Sequence, residues 1–271
     1  MTDTHPNLPL SQDGEIAWAV IDRQTDRNSI NSALMAQMEA LLAEVEAGPA
    51  RALVFSGAGQ AHFIGGADGV EMMKLDRPGA EAFSRRFQAL LDRLEASPLI
   101  LVAAINGLCF GGGFEFAMAC DLRVAAPEAR IGLPEVKVGL IPGGGGTQRL
   151  PRLVGMGMAM EMVLSGRLYP GEEAAHLGLV NRVAGQGGLA QAVNELLAPM
   201  LRNPGHAVSL AKLALKAGQR GGLVQGLAAE AGLFGRCHDH GFFRDLMVAQ
   251  LESGALTTTA DKADLIPGGS R

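Results

Sequence analysis

Cysteine is scarce in this sequence, and its few cysteines are not arranged as metal ligands or as a disulfide framework. There are only three, at Cys109, Cys120 and Cys237, and no Cys-x-x-Cys spacing indicates a zinc site. The first ten residues are polar and contain no apolar core of a signal peptide. Both features favour a cytoplasmic protein, because thiols stay reduced in that compartment.

Aromatic residues, basic clusters and long apolar runs are also scarce. Only 4% of the residues are aromatic, which leaves little surface for stacking on nucleic-acid bases. The formal net charge is −5 and Lys and Arg do not cluster, so we expect no nucleic-acid partner. No apolar run approaches the ~20 residues that a membrane-spanning helix needs, so we expect no membrane partner either.

Glycine and apolar residues are abundant instead, with 37 glycines and 48% hydrophobic residues in a chain of 271. Short apolar segments alternate with segments of helical periodicity up to residue 183, and from residue 189 onward the pattern is helical only. This order predicts an α/β core followed by a helical C-terminal module. We therefore predict a flexible N-terminal tail at 1–13, a core at 14–195 and a helical module at 196–271.

The middle of the chain contains an acidic residue in an otherwise apolar setting. Residues 99–104 predict a buried strand, and the glycines that follow are predicted to lead from it directly into a helix beginning near Gly112. Such a turn aims backbone N–H groups and the positive end of the helix dipole at one point. Glu115 lies in the first turn of this helix. Because a buried carboxylate is costly unless it is paired or functional, Glu115 is either satisfied by the helix start or catalytic.

Two further turns place a carboxylate after a predicted strand. They are Gly66-Ala67-Asp68 and Pro134-Glu135. The carboxyl ends of strands are where α/β proteins place their ligands, so we expect these turns to meet the glycines at 111–113. The glycine-rich segment 138–147 is predicted to be a loop, with the next helices at 156–164 and 171–177.

Together these motifs resemble those of the enoyl-CoA hydratase/isomerase (crotonase) superfamily, and within it most closely those of enoyl-CoA hydratases. The likeness runs from about residue 14 to about residue 235, and it is carried by the segments 27–31, 65–68, 106–121 and 132–150. The C-terminal segment 237–245 departs from the family pattern, which usually has an acidic–glycine turn there.

The resemblance implies a crotonase-like spiral of ββα repeats with a helical trimerisation module, assembled as a homotrimer or a dimer of trimers. The implied substrate is an acyl-CoA thioester, as in fatty acid metabolism, with no metal and no separate cofactor because coenzyme A is part of the substrate. Two backbone N–H groups that hold the thioester oxygen map to Ala67 and Gly112. Arg27 either meets a CoA phosphate or is an ordinary surface arginine. The residues expected to contact the substrate are Gly66, Asp68, Gly111, Leu140, Gly143 and Arg27.

The two glutamates suggest the reaction. In the hydratases of the family, glutamates at the positions of Glu115 and Glu135 hold a water over a double bond. The resemblance therefore implies that Glu115 is the base toward water and Glu135 the acid toward the α-carbon, giving a 3-hydroxyacyl-CoA from a 2-enoyl-CoA. A Δ3–Δ2 isomerase, which often keeps only the glutamate at the Glu135 position, and an acyl-CoA hydrolase remain alternatives. A non-catalytic acyl-CoA-binding or RNA-binding relative is an alternative of another class.

Overall fold

The computed structural model describes residues 5–256, so the predictions for residues 1–4 and 257–271 lie outside the described residues. Its contacts divide the chain into two compact units that separate between Asn203 and Pro204. The first unit mixes strands and helices, and the described part of the second is helical. The predicted α/β class with a helical C-terminal part is thus confirmed.

The strands all belong to the first unit. Their bounds are β1 Leu10–Asp13, β2 Ile16–Ile21, β3 Ala52–Gly57, β4 His62–Ile64, β5 Ile100–Ile105, β6 Leu108–Phe110, β7 Leu122–Ala125, β8 Arg130–Gly132, β9 Tyr169–Pro170 and β10 Arg182–Val183.

The helices lie in both units. In the first unit they are α1 Ser32–Glu46, α2 Gly69–Met72, α3 Arg77–Glu95, α4 Gly112–Ala119, α5 Gly146–Val154, α6 Met156–Ser165, α7 Gly171–His176 and α8 Gly188–Leu201. In the second unit they are α9 Gly205–Cys237 and α10 Phe242–Ser253. Short 3-10 turns lie at Gln24–Asp26, Glu135–Val138 and His238–His240.

Two sheets organise the first unit. The larger has six strands in the order β1-β2-β3-β5-β7-β10, all parallel except for the β1–β2 pair. The smaller has the order β4-β6-β8-β9, with β4, β6 and β8 parallel. Every residue of β5 and of α4 is buried, as is typical of a parallel strand covered on both faces and of a helix inside the core.

Local sequence explains where several of these elements begin and end. The Asn31 side chain caps α1 by accepting a hydrogen bond from the Leu34 N–H at 2.8 Å, and Asp76 caps α3 through Gly79 at 2.9 Å. The Asp121 carboxylate, just after α4, accepts from the Leu101 N–H at 2.8 Å and so ties the end of that helix to β5.

The flexible tail predicted at 1–13 is wrong for its described part. Residues 10–13 form β1, which pairs antiparallel with β2. The pairing continues upstream, because Val20 and Asp22 donate backbone hydrogen bonds to Pro9 and Asn7 at 3.0 and 2.9 Å. Leu8 is fully buried in the core. An edge strand that contributes mainly backbone hydrogen bonds has little periodicity of its own to reveal it.

The contacts also place the boundary between core and helical module later than the predicted 195–196. Those residues lie inside α8, which contacts β5 and β7 and therefore belongs to the first unit. Arg51 strengthens this attachment by donating to the carbonyls of Leu201 and Asn203, at 2.7 Å each.

The second unit contains a long helical segment that is interrupted once. Within α9, Gly222 has φ 78° and ψ −179°, so two helical segments meet at this glycine. A Cβ built on Gly226 would lie 2.7 Å from the Cα of Gly218, which shows that the two segments approach to backbone contact. Most of the large apolar side chains of this unit are exposed to solvent.

Candidate active site

Three parallel neighbouring strands, β4, β6 and β8, carry the three turns that the sequence singles out. The turn 65–68 follows β4, the glycines 111–113 follow β6, and Pro134-Glu135 follow β8. Their carboxyl ends lie at one edge of the small sheet, so the expected meeting of the turns is found. One step of the prediction is wrong: the strand at 99–104 does not lead directly into α4, because β6 intervenes and belongs to the other sheet.

The first turn is fixed by backbone pairing to the segment before α1. Ile30 donates to the carbonyl of Gly66 at 2.9 Å and accepts from the N–H of Asp68 at 2.8 Å, so that Ala67 is held between two bonds. Gly66 has φ +86°, a value that glycine adopts without steric cost. The Asp68 side chain caps α2 and forms an ion pair with Arg23 at 3.0 Å.

The second turn brings Gly112 next to the N–H group of Ala67. A Cβ built on Gly112 would lie 3.3 Å from the Ala67 nitrogen, so a side chain at position 112 would crowd that N–H group. Among the described residues, neither the Ala67 N–H nor the Gly112 N–H has a hydrogen-bond acceptor. Gly112 is the first residue of α4, where the helix dipole adds to the positive potential. Unpaired backbone N–H donors of this kind can hydrogen-bond an oxygen on which negative charge develops.

Glu115, one turn into α4, is only 2% exposed. Its Oε1 accepts a hydrogen bond from the Gly146 N–H at 2.7 Å. Burial raises the pKa of this carboxyl, and the N–H groups of Gly146 and Gly144 and the charge of Arg149 oppose that increase. A Cβ on Gly144 would lie 2.7 Å from Oε2, and one on Gly146 would lie 2.9 Å from Oε1, so only glycines allow this contact.

Glu135 approaches the same turns from the 3-10 segment after β8. Its Oε1 lies 3.3 Å from the position that a Cβ on Gly111 would take. Its Oε2 is buried and has no hydrogen-bond partner among the described residues. Burial, together with the negative charge of Glu115, raises the pKa of Glu135 to about 7. The two acidic groups are therefore close enough to influence each other, and a hydrogen bond from the backbone N–H of Glu135 to its own carboxyl opposes the increase only in part.

Two glycines just after Gly143 that the sequence analysis did not name as site residues lie against Glu115. Gly144 and Gly146 lie at the start of α5, a helix that the sequence analysis wrongly treated as loop and connection. Gly146 and Pro151 inside the helix lower its intrinsic helix propensity, and packing against α4 and α6 outweighs this. The run of glycines was the available signal that backbone must approach another group here.

The remaining predicted residues lie around this centre. The carbonyl of Gly143 accepts from Ser84 and Gln88 at 2.7 and 2.8 Å, which attaches the loop to α3. The Arg27 side chain is exposed, and its carbonyl accepts from the Gly65 N–H at 2.9 Å, so its backbone fixes the first turn. Leu140 is 53% exposed on the segment between Glu135 and Gly143.

The sequence was compared with family models, and residues 12–255 match that of the enoyl-CoA hydratase/isomerase family. The chain belongs to this family. It is 36% identical to the short-chain-enoyl-CoA hydratase of Clostridium acetobutylicum over 91% of this chain and 95% of the relative. It is 34% identical to the crotonyl-CoA hydratase of Syntrophomonas wolfei, over 92% and 96%.

Solved structures of the enoyl-CoA hydratase family share the fold. A crystal structure from Geobacillus kaustophilus superimposes with a TM-score of 0.85 at 32% identity, covering 96% of this chain and all of that one. An enoyl-CoA hydratase from Bacillus anthracis superimposes with a TM-score of 0.83 at 31% identity, covering 91% and 96%. The expected crotonase-like fold is therefore confirmed. No helix between residues 5 and 256 is both long enough and apolar enough to span a bilayer.

Proposed function

We propose that this member of the enoyl-CoA hydratase/isomerase family is an enoyl-CoA hydratase, which adds water reversibly across the 2,3 double bond of a 2-enoyl-CoA. The observation that carries the proposal is that two N–H groups without an acceptor among the described residues, on Ala67 and Gly112, lie at the same turns as two acidic side chains, Glu115 and Glu135. The relatives named for short-chain-enoyl-CoA and crotonyl-CoA hydration support it.

In the proposed reaction the thioester oxygen accepts hydrogen bonds from Ala67 and Gly112. Glu115 takes a proton from water, and the water oxygen forms a bond to C3. The π electrons of the double bond move toward C2 and the thioester oxygen, and the resulting enolate is stabilised by the two N–H groups. Losing one such donor typically costs ~2.7–4 kcal/mol. Glu135 then delivers a proton to C2, which completes the 3-hydroxyacyl-CoA.

The different surroundings of the two carboxyl groups support this division of roles. Glu115 receives backbone N–H donors, which favour its charged form as a base. Glu135 lacks such a donor on its buried Oε2 and lies near the negative charge of Glu115, which favours its protonated form as an acid. With a base, an acid and an oxyanion site supplied by the chain itself, the proposed reaction needs no metal or resident cofactor.

The experiment is an assay of purified protein with crotonyl-CoA, following loss of the absorbance of the conjugated thioester. We expect Glu115→Gln and Glu135→Gln each to lower kcat by at least ~10²-fold, because general acid–base catalysis contributes ~10²–10⁴-fold. Glu128→Gln, at an exposed turn position, is the matched control and should leave kcat unchanged.

The products separate hydration from the alternatives. Appearance of 3-hydroxybutyryl-CoA supports the proposal. Free thiol release without hydration would indicate a hydrolase, and turnover of only a 3-enoyl-CoA would indicate an isomerase. Absence of turnover with any of these substrates, with tight binding of an acyl-CoA or of RNA, would indicate a non-catalytic relative.

We also propose that the chain assembles as a homotrimer or a dimer of trimers, and that it is cytoplasmic. The exposed apolar side chains of the second unit support the assembly, since a monomer rarely leaves so many in contact with water. The low number of cysteines, of which Cys109 and Cys120 are buried, supports a reducing compartment.

A further inference from the structure

Arg149 lies in α5 and makes three directed contacts around the glycine loop. Its Nη1 donates to the carbonyl of Gly144 at 2.8 Å. Its Nε and Nη2 form ion pairs with Glu95 at 2.8 Å and with Asp92 at 2.9 Å, both on α3. The side chain is only 15% exposed. The guanidinium places donors on three nitrogens in one rigid plane and so reaches three separated acceptors, whereas all three donors of an ammonium group are on a single nitrogen.

These contacts lead directly to the Glu115 carboxylate. Gly144, whose carbonyl Arg149 holds, lies against Glu115, because a Cβ built on it would be 2.7 Å from Oε2, and its N–H lowers the pKa of that carboxyl. Gly146 donates its N–H to Glu115 Oε1 at 2.7 Å. On the other side of the loop, Ser84 and Gln88 of α3 hold only the carbonyl of Gly143. Arg149 is thus the charged side chain that connects the glycine loop beside Glu115 to α3.

We propose that Arg149 is a positioning residue for catalysis, which holds the loop 143–146 against α3 so that Gly144 and Gly146 keep the Glu115 carboxylate in place as the base toward water. This inference rests on the proposed hydratase function. Arg149 need not touch the substrate, since it acts through Gly144 and through its positive charge near Glu115.

The charged groups around Glu115 make the inference sensitive to pH. They are Glu135 from the segment after β8 and Arg149 from α5, with Glu95 and Asp92 of α3 facing Arg149. Arg149 opposes the increase in the pKa of Glu115 that burial causes. Removing the Arg149 cation leaves Glu115 next to the negative charge of Glu135 without the positive charge that offsets it. Glu115 should therefore require a higher pH to become ionised.

The experiment compares Arg149→Met and Arg149→Lys with Arg152→Met. Arg152 is an exposed arginine of the same helix and donates a hydrogen bond to the carbonyl of Gln148. For Arg149→Met we expect kcat for crotonyl-CoA to fall ~10- to 100-fold, part of the ~10²–10⁴-fold that a general base supplies, with KM changed less than ~3-fold. The acid limb of the pH profile should move up by about one pH unit.

Arg149→Lys separates charge from geometry. It should keep the acid limb of the pH profile near that of the wild type, because the positive charge remains. Its kcat should stay reduced, because lysine cannot make the three hydrogen bonds of the planar guanidinium. Arg152→Met should match the wild type in kcat and in pH profile. A folded Arg149→Met with unchanged kcat and acid limb, even at a lower melting temperature, would show a merely structural residue and overturn the proposal.

Hydrogen exchange gives a readout that does not depend on turnover. In Arg149→Met, and in Arg149→Lys if the former does not fold, the amides of residues 143–146 should exchange faster than in Arg152→Met. Unchanged exchange there would overturn the positioning role. If the wild type itself does not hydrate crotonyl-CoA, the proposed function fails, whereas the exchange result still decides whether Arg149 holds this loop.

Discussion

At the scale of single residues, the candidate site contains two carboxyl groups at the same edge of the small sheet, and they differ in the groups that surround them. Burial raises the pKa of both carboxyl groups. The N–H of Gly146 donates to Glu115, whereas the backbone N–H that lowers the pKa of Glu135 is its own. The pair interacts, so the pH dependence of the reaction belongs to both groups together. The geometry nevertheless gives each limb of the profile an expected direction.

We predict a bell-shaped pH dependence of kcat/KM for hydration of crotonyl-CoA. The pKa of Glu135 is raised to about 7, and as the acid it must be protonated, so the rate should fall as the pH rises through about 7. As the base, Glu115 must be ionised, so the rate should also fall on the acid side. Steady-state kinetics across the neutral range measure both limbs. The residual activity of Glu135→Gln should lack the alkaline limb, and a wild-type rate that keeps rising well above neutrality contradicts the assignment.

At the scale of elements, the helix α4, which carries Glu115, is positioned by close backbone contact with β4. A Cβ built on Gly113 would lie 2.8 Å from the Cβ of Ile64 and would collide with the Ile64 carbonyl. Ile64 is fully buried, so it cannot move aside without disturbing the core. Glycine at this position therefore allows α4 to present Gly112 and Glu115 at the edge of the small sheet.

We predict that Gly113→Ala destabilises the protein by ~1–3 kcal/mol, the usual cost of overpacking. It should also lower kcat, because relief of the collision moves α4 and with it Gly112 and Glu115. Gly157→Ala in α6 is the control: no atom lies within 4 Å of its added Cβ. That variant should be neutral or more stable by up to ~1 kcal/mol. Urea unfolding gives the free energies, and equal stabilities of the two variants would refute the role of this contact.

The elements also show what the sequence could predict. The strand β5 has an unbroken apolar run, and β5, α6 and α7 lie close to the positions predicted for them at 99–104, 156–164 and 171–177. By contrast, β1 and β6 are short and depend on pairing with strands elsewhere in the chain, and α5 begins inside four glycines. Local propensity carries little information where tertiary contacts decide the structure.

The same distinction applies to the candidate site. Its glycine turns and two glutamates are local motifs, so they can be identified from the sequence and from its resemblance to the family. Arg149 was missed, because its role depends on Glu95 and Asp92, which lie more than fifty residues earlier. A basic residue near the start of a helix is disfavoured by the dipole, so Arg149 would have been a signal only if α5 had been predicted.

At the scale of the whole molecule, the second unit leaves an unusual amount of apolar surface in contact with water. Eight large apolar side chains are between 42% and 77% exposed, namely Leu215, Leu223, Val224, Leu227, Phe234, Phe242, Phe243 and Leu246. Burying one side chain of this kind contributes ~1.5–3 kcal/mol. A surface of this size is typical of an interface with other protein, which agrees with the proposed assembly of several copies.

We predict that the purified protein has a mass of three or six times the 28.2 kDa of one chain, measured by sedimentation equilibrium. Phe234→Asp places a charge at a position that is 68% exposed in the single chain, so it should shift the population toward smaller species. Gln219→Asp adds the same charge at an exposed polar position of the same helix and should leave the mass unchanged. A wild type that sediments as a monomer over the whole accessible concentration range would contradict the assembly. A Phe234→Asp variant that keeps the full mass would instead locate the contact on other apolar residues of the second unit.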